Sequence, residues 1–194
     1  MNSKELLSLI SIALTFIAFY PYIRSIAAGI TKPHVFSWVI WGVTTLVAFF
    51  AQLADHGGVG AWPTGLSALI TFYVAYLAFR RRAEINITRS DWIFFLSAVS
   101  AVPAWYLTSN PLWAVLILTS VDVLGFFPTF RKIYYDPFSE DLQFYVLMGI
   151  RSAVSIFALE YFSWTTVLFP AAISAMCALV VCVLFVKRTL IPKS

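Results

Sequence analysis

Two ionisable side chains stand in the middle of long apolar runs, Asp122 within residues 112–131 and Arg151 within residues 142–160. If these runs cross a bilayer, each charge costs roughly 2.5–3.5 kcal/mol on insertion scales, so each needs a partner or a water-filled cavity. Two interpretations stay open. The residues form a buried ion pair that docks the two helices, or they form a site. In the site, Arg151 attracts an anionic group and Asp122 accepts a proton or a substrate cation.

A polar and aromatic helix face accompanies these charges. Residues three to four apart share a face, which within 35–54 groups Ser37, Trp41, Thr44, Ala48 and Gln52 and within 142–160 groups Phe144, Met148, Arg151, Ser155 and Leu159. An aromatic ring beside polar groups at mid-depth suits a small-solute site, although helix packing explains the same residues. With Asp122 as the coupling residue, the predicted substrate-binding residues are Trp41, Thr44, Ser67, Met148, Arg151, Ser155 and Ser174.

The sequence offers no support for enzyme or metal chemistry. Cys177 and Cys182 are five residues apart and fall on different helix faces, while His34 and His56 lie in separate loops. Neither pair has the spacing of a metal site. The chain also lacks a phosphate-binding loop, a dinucleotide fingerprint, a zinc-protease motif and a nucleophile elbow. We therefore expect no enzyme, no cofactor and no metal.

The composition indicates a lipid environment. Of the 194 residues 61% are hydrophobic and 11% are charged, whereas a soluble domain carries about 25% charged residues. A membrane-spanning helix needs about 20 apolar residues, and helices satisfy their own backbone in lipid. Seven runs qualify, at 6–27, 35–54, 61–79, 91–108, 112–131, 142–160 and 164–186. The sequence thus predicts an all-α membrane protein with seven transmembrane helices.

The basic residues predict the orientation of these spans. If the spans alternate in direction, one side carries only Lys4, and the other carries Arg24, Lys32, Arg80, Arg81, Arg82, Arg89, Arg131, Lys132, Lys187, Arg188 and Lys193. Such an excess marks the cytoplasmic side. This asymmetry explains the net charge of +4 without nucleic acid. We expect an outside N-terminus, a cytoplasmic C-terminus and, from the compact loops, a prokaryotic inner membrane.

The chain repeats itself at an offset of 107 residues. The offset pairs Phe19 with Phe126, Pro21 with Pro128, Arg24 with Arg131, Gly42 with Gly149, Pro63 with Pro170 and Ser67 with Ser174. Two parallel three-helix repeats need one extra crossing between them, because three crossings alone would insert the second copy upside down. The predicted organisation is therefore a repeat at 1–83, a linker helix at 84–110 and a repeat at 111–194.

Pro21 and Pro128 lie late in spans one and five. A proline inside a helix removes one backbone hydrogen bond and bends the helix. Two interpretations stay open here as well: a pair of hinges that narrow and widen the cytoplasmic end, or two simple kinks.

The three-one-three layout, the prolines late in spans one and five, and the arginine three positions after each resemble the PQ-loop and SWEET group of small transporters. Tyr22 and Thr129 stand where the PQ-loop signature has glutamine. The resemblance implies a secondary transporter that moves a small polar solute by alternating access through a central site between the repeats.

If the protein is a transporter, coupling of transport to protons through Asp122 is a further hypothesis. The alternative to a transporter is a ligand-binding or sorting receptor on the same fold, without transport. The expected partners are a small-molecule substrate and the lipid bilayer, with no nucleic acid. The oligomeric state stays open, a homo-oligomer included.

Overall fold

A computed structural model describes residues 2–29, 35–80, 89–135, 137–138 and 141–190, and the ordered elements in these ranges are all helical. They comprise α1 (Ser3–Ala27), α2 (Val35–Ala54), a short 3-10 helix (Gly58–Ala61), α3 (Trp62–Arg80), α4 (Arg89–Thr108), α5 (Pro111–Tyr135), α6 (Leu142–Ala158) and α7 (Trp164–Leu190). The seven α-helices coincide with the seven predicted runs to within a few residues. The all-α prediction is confirmed.

Four stretches of the described chain are long and apolar enough to cross a membrane: Ser3–Ala27, Ser37–Ala54, Gly58–Arg80 and Trp164–Leu190. Shorter apolar helices occupy Phe95–Thr108, Pro111–Phe126 and Leu142–Ala158. Large apolar side chains such as Leu69, Tyr76 and Phe185 point outward and are exposed. These features are compatible with an integral membrane protein.

The helices fall into two groups with the same internal contacts. In the first half (α1–α3), α3 packs against both α1 and α2, and in the second half (α5–α7), α7 packs against both α5 and α6. Between the halves, α1 packs against α6 and α2 packs against α5. Exchanging α1 with α5, α2 with α6 and α3 with α7 turns each of these contacts into another, which is the behaviour of a twofold arrangement. The remaining helix, α4, packs against α5 and α2.

A proline of α7 frees a backbone carbonyl at the end of the bundle where α2 ends and α3 and α7 begin. We call this end the closed end. Pro170 lies inside α7 and has no N–H group for the carbonyl of Thr166. Gln52 of α2 supplies the missing donor, because its side-chain nitrogen lies 2.8 Å from that carbonyl oxygen. Both Gln52 and Thr166 are buried, so this bond ties the first half to the second without help from solvent.

The equivalent proline of the first half frees no helical carbonyl. Pro63 is the second residue of α3, and the first N–H groups of a helix have no helical acceptor in any case. The Ser8 hydroxyl of α1 donates to the carbonyl of Val59 in the preceding 3-10 helix at 2.7 Å. This bond joins α1 to the 3-10 helix at the closed end.

The closed end is also packed without space for an added methyl group. At Gly60 of the 3-10 helix, a Cβ atom would overlap with the backbone of Ala158 and Leu159 in the other half. Backbone atoms cannot rotate away as a side chain would, so the glycine permits the close approach of the two halves.

We expect Gly60→Ala to destabilise the protein by about 1–3 kcal/mol, the usual cost of overpacking. The measurement is the midpoint of thermal unfolding of the full chain in detergent. Gly149→Ala is the matched control, since its Cβ would lie 3.3 Å from the Cβ atom of Cys177 and needs only a small adjustment. An unchanged midpoint for Gly60→Ala would show that the closed end is loosely packed.

Candidate functional site

A cavity of about 620 Å³ lies between the two halves and is lined by residues of every α-helix except α4. Positions paired by the 107-residue offset contribute to it together: Phe19 with Phe126, Tyr22 with Thr129, Trp38 with Tyr145 and Trp41 with Met148. The cavity therefore lies where corresponding helices of the two halves meet. Its volume is typical of a site for a small molecule.

The cavity reaches the surface of the described bundle at the end where α1 ends and α6 begins, which we call the open end. Its lining reaches Ser25, near the end of α1, and Asp141, the exposed N-cap residue of α6. Its deepest lining residues, Arg151 and Phe169, are buried.

Polar contacts between the halves seal the bundle beyond the deep end of the cavity. The hydroxyl of Ser163 donates to the carboxylate of Asp55. The backbone N–H of Glu160 donates to the carbonyl of Gly57 at 3.2 Å, and the bond from Gln52 described above lies beneath them. These bonds join the described helices of the two halves at the closed end.

Aromatic rings from α1, α2 and α6 form one wall of the cavity. Tyr22 stacks on Trp38 with a centroid separation of 5.2 Å, and Trp38 meets Trp41 edge to face at 5.4 Å. Phe144 packs against Phe19 at 5.7 Å, also edge to face. Such pairs contribute about 0.5–1.5 kcal/mol each beyond the area they bury. The wall joins α1 and α2 of the first half to α6 of the second.

Asp122 of α5 lies on the cavity, with 5% of its surface exposed. The hydroxyl of Thr44 interacts with its carboxylate, but that hydroxyl also lies 3.0 Å from the carbonyl oxygen of Trp41. A hydroxyl has one proton and can donate to one acceptor at a time. The Oδ1 atom of Asp122 has no hydrogen-bond partner among the described residues. An ionised carboxylate here lacks a donor that a proton or a ligand could supply.

Arg151 of α6 lies at the deep end of the cavity, with 4% of its surface exposed. Its Nη1 atom donates to the carbonyl of Pro63 at 3.1 Å, and its Nη2 atom donates to the hydroxyl of Ser152 at 3.4 Å. The Nε atom has no partner. The first bond anchors the guanidinium on α3 and leaves its Nε edge short of acceptors.

The two charges do not pair with each other. Among the described side chains, Asp122 interacts with Thr44 and Arg151 donates to Pro63 and Ser152, and no ion pair joins the acid to the base. Their helices do not dock on each other either, because α5 packs on α2, α4 and α7. The interpretation of a buried ion pair that docks the two helices is therefore wrong. Both side chains instead line one cavity.

The structure brings most of the predicted residues together. The predicted residues that line the cavity are Pro21, Trp41, Ser67, Asp122, Met148 and Arg151. The other predicted binding residues lie behind the lining: Thr44 beside Asp122, Ser155 bonded to the carbonyl of Ser152 at 2.8 Å, and Ser174 bonded to the carbonyl of Gly149 at 3.0 Å. These three hydroxyls donate to backbone carbonyls of the helices, and their residues are not part of the cavity lining.

Some predictions fall outside the described part of the chain. Pro128 lies within α5, but its side chain is not described, so the hinge prediction can be followed only at Pro21, which lies inside α1. The same holds for part of the basic set that predicted orientation: Lys32, Arg81, Arg82 and Lys193, and the side chains of Arg131 and Lys132.

Sequence reasoning missed several lining residues, chiefly Phe19, Tyr22, Trp38 and Cys177. A signal for the aromatic ones was present, because the 107-residue offset pairs Phe19 with Phe126 and Trp38 with Tyr145. Cys177 carried no such signal. Comparison with family models, curated proteins and solved structures finds no match for this chain.

We expect Gln52→Leu to lower the thermal midpoint of the full chain in detergent. Leucine is close to glutamine in size but has no donor for the Thr166 carbonyl. The loss of that donor costs about 1–3 kcal/mol. Gln143→Leu is the matched control, because that side chain is exposed at the start of α6. Equal midpoints for the two variants would contradict the tie between the halves.

Proposed function

We propose that the protein is a secondary transporter that moves a small polar solute across a membrane by alternating access. The supporting observation is the cavity between the halves, which is open at one end, sealed at the other and holds two buried ionisable side chains with unsatisfied atoms. Ionisable side chains inside an apolar helix bundle cost free energy. A polar solute that crosses an apolar layer needs polar groups of this kind along its path.

The proposed membrane arrangement is seven spans in a three-one-three order, as in the PQ-loop and SWEET group that the sequence resembles. Residues 1–83 and 111–194 are two parallel repeats, and 84–110 is the linker span. The equivalent contacts of the two halves support this arrangement. The N-terminus is outside and the C-terminus is cytoplasmic, in a prokaryotic inner membrane, so the open end of the cavity faces the cytoplasm.

In the proposed cycle the halves rock about the cavity. The described conformation is open to the cytoplasm and sealed outside by the bonds at Gln52, Asp55 and Glu160. Opening outside requires these bonds to break, while the aromatic wall closes over the cytoplasmic entrance. Pro21 lies inside α1 beside that entrance, where a bend in the helix can absorb the movement.

Asp122 is the proposed coupling residue. Its carboxylate lines the cavity and lacks a donor at Oδ1, so it can take up a proton when the site is empty. A proton bound there from one side and released to the other would link solute movement to a pH gradient.

The test is uptake of a solute panel into sealed vesicles that contain the full-length protein, with and without a pH gradient. We expect time-dependent uptake of at least one solute and an initial rate that depends on the gradient. Asp122→Asn should remove the dependence of the uptake rate on the pH gradient, because the asparagine amide does not take up a proton near neutral pH. Absence of uptake across the whole panel would contradict the transporter proposal, and binding without uptake would favour a receptor.

The control for Asp122→Asn is Glu5→Gln, which removes one negative charge at the closed end. Glu5 belongs to a capping box with Asn2 at the start of α1, and glutamine can replace glutamate in that motif. The control should keep the response to the gradient. If both variants lose it, the effect is one of net charge and proton coupling through Asp122 is wrong.

A further inference from the structure

Two ionisable side chains that line the cavity each hold one buried atom without a hydrogen-bond partner among the described residues. These atoms are Oδ1 of Asp122 and Nε of Arg151, and both side chains are at least nine-tenths buried. A buried polar atom without a partner costs free energy, more so when the group is charged. An acid and a base of this kind beside one cavity point to a ligand that carries both complementary groups.

The guanidinium of Arg151 offers an edge for an anionic group. Its Nη1 atom is held by the carbonyl of Pro63, which fixes the plane of the group. Its Nε atom is unpartnered, and the bond from Nη2 to Ser152 is long at 3.4 Å. These two nitrogens share one edge of the guanidinium fork, and such an edge can hold a carboxylate through two parallel hydrogen bonds.

The carboxylate of Asp122 offers the complementary place for a cation. Gly125, three residues along the same face of α5, lies so close to Trp41 that an added Cβ would be 3.3 Å from the indole nitrogen. The nitrogen edge of the Trp41 ring therefore lies beside α5, one turn from Asp122, in the lining of the same cavity. A ligand ammonium would supply the donor that Oδ1 lacks.

We propose that the cavity binds a small zwitterion, with its carboxylate on Arg151, its ammonium on Asp122 and its apolar part against the aromatic wall. The proposal deepens the proposed function by naming the substrate class of the same site. An ammonium and a proton compete for one carboxylate oxygen, so the bound zwitterion displaces the proton from Asp122. A neutral solute would leave both charges unsatisfied.

The experiment measures binding to the full-length protein in detergent by titration calorimetry. Each set of probes holds a zwitterion, a carboxylate and an amine that share one apolar group. The set with a phenyl group is L-phenylalanine, 3-phenylpropionate and 2-phenylethylamine, and the set with a methyl group is L-alanine, propionate and ethylamine. In at least one set we expect the zwitterion to bind at least about tenfold more tightly than either singly charged probe, the effect of one charge-assisted hydrogen bond. Equal affinities within both sets, or no binding in either, would overturn the proposal.

Two variants separate the ends of the site. Asp122→Asn should remove the preference of the zwitterion over the carboxylate probe, and Arg151→Gln should remove its preference over the amine probe. Arg151→Lys keeps the positive charge without the two-bond edge and should recover part of the preference. A variant that lowers the affinity for all three probes equally would show a merely structural role and would count against the site.

Glu5→Gln is the control and should bind as the wild type does. The same probes in the vesicle assay distinguish this proposal from the transporter proposal. Zwitterion binding without uptake would overturn transport alone. Uptake of a neutral solute without any preference for the zwitterion would overturn this substrate class alone.

Discussion

A helix carbonyl that faces a proline four residues later has lost its donor, and an apolar bundle contains no bulk water to replace it. At the closed end this constraint is met by Gln52, which donates to the carbonyl of Thr166 in the other half. At the same end the Ser8 hydroxyl donates to the carbonyl of Val59. The bond from Gln52 links α2 to α7, the bond from Ser8 links α1 to the 3-10 helix, and Gly60 allows the backbones of the two halves to touch there. The two halves are therefore joined closely at the closed end.

The twofold framework holds a site that is not twofold. At the 107-residue offset, Asp122 corresponds to Thr15 and Arg151 corresponds to Thr44. Thr44 reaches Asp122 across the contact of α2 with α5, while the equivalent contact of α1 with α6 joins the Ser11 hydroxyl to the Arg151 carbonyl at 3.0 Å. The repeat thus supplies two similar walls, and the two charges give the cavity a direction. A site with a direction suits an oriented solute.

The sequence predicted the helices well because each apolar run is long enough for several helical turns and is bounded by turn residues or charges. It also placed Trp41, Met148 and Arg151 on the faces that meet the cavity, since helical periodicity decides which residues share a face. It did not predict that Ser174 would turn to the Gly149 carbonyl, because a hydroxyl in an apolar helix can bond to a neighbouring backbone as well as to a solute. Nor did it predict the aromatic wall, which depends on how α1 packs against α6. Contacts between distant helices carry no periodic signal in one chain.

The same backbone constraint explains why the closed end can open in the proposed cycle. When the halves separate there, the carbonyl of Thr166 loses Gln52, but the separation admits water to the exposed end of α7. Water then supplies the donor, so the net cost is that of exchanging one hydrogen bond for another, about 0.5–1.5 kcal/mol. At the open end the cavity is lined by aromatic side chains such as Tyr22 and Phe144, and closing them in the proposed cycle removes apolar area from water. This gain offsets part of the cost of separating the polar contacts at the closed end.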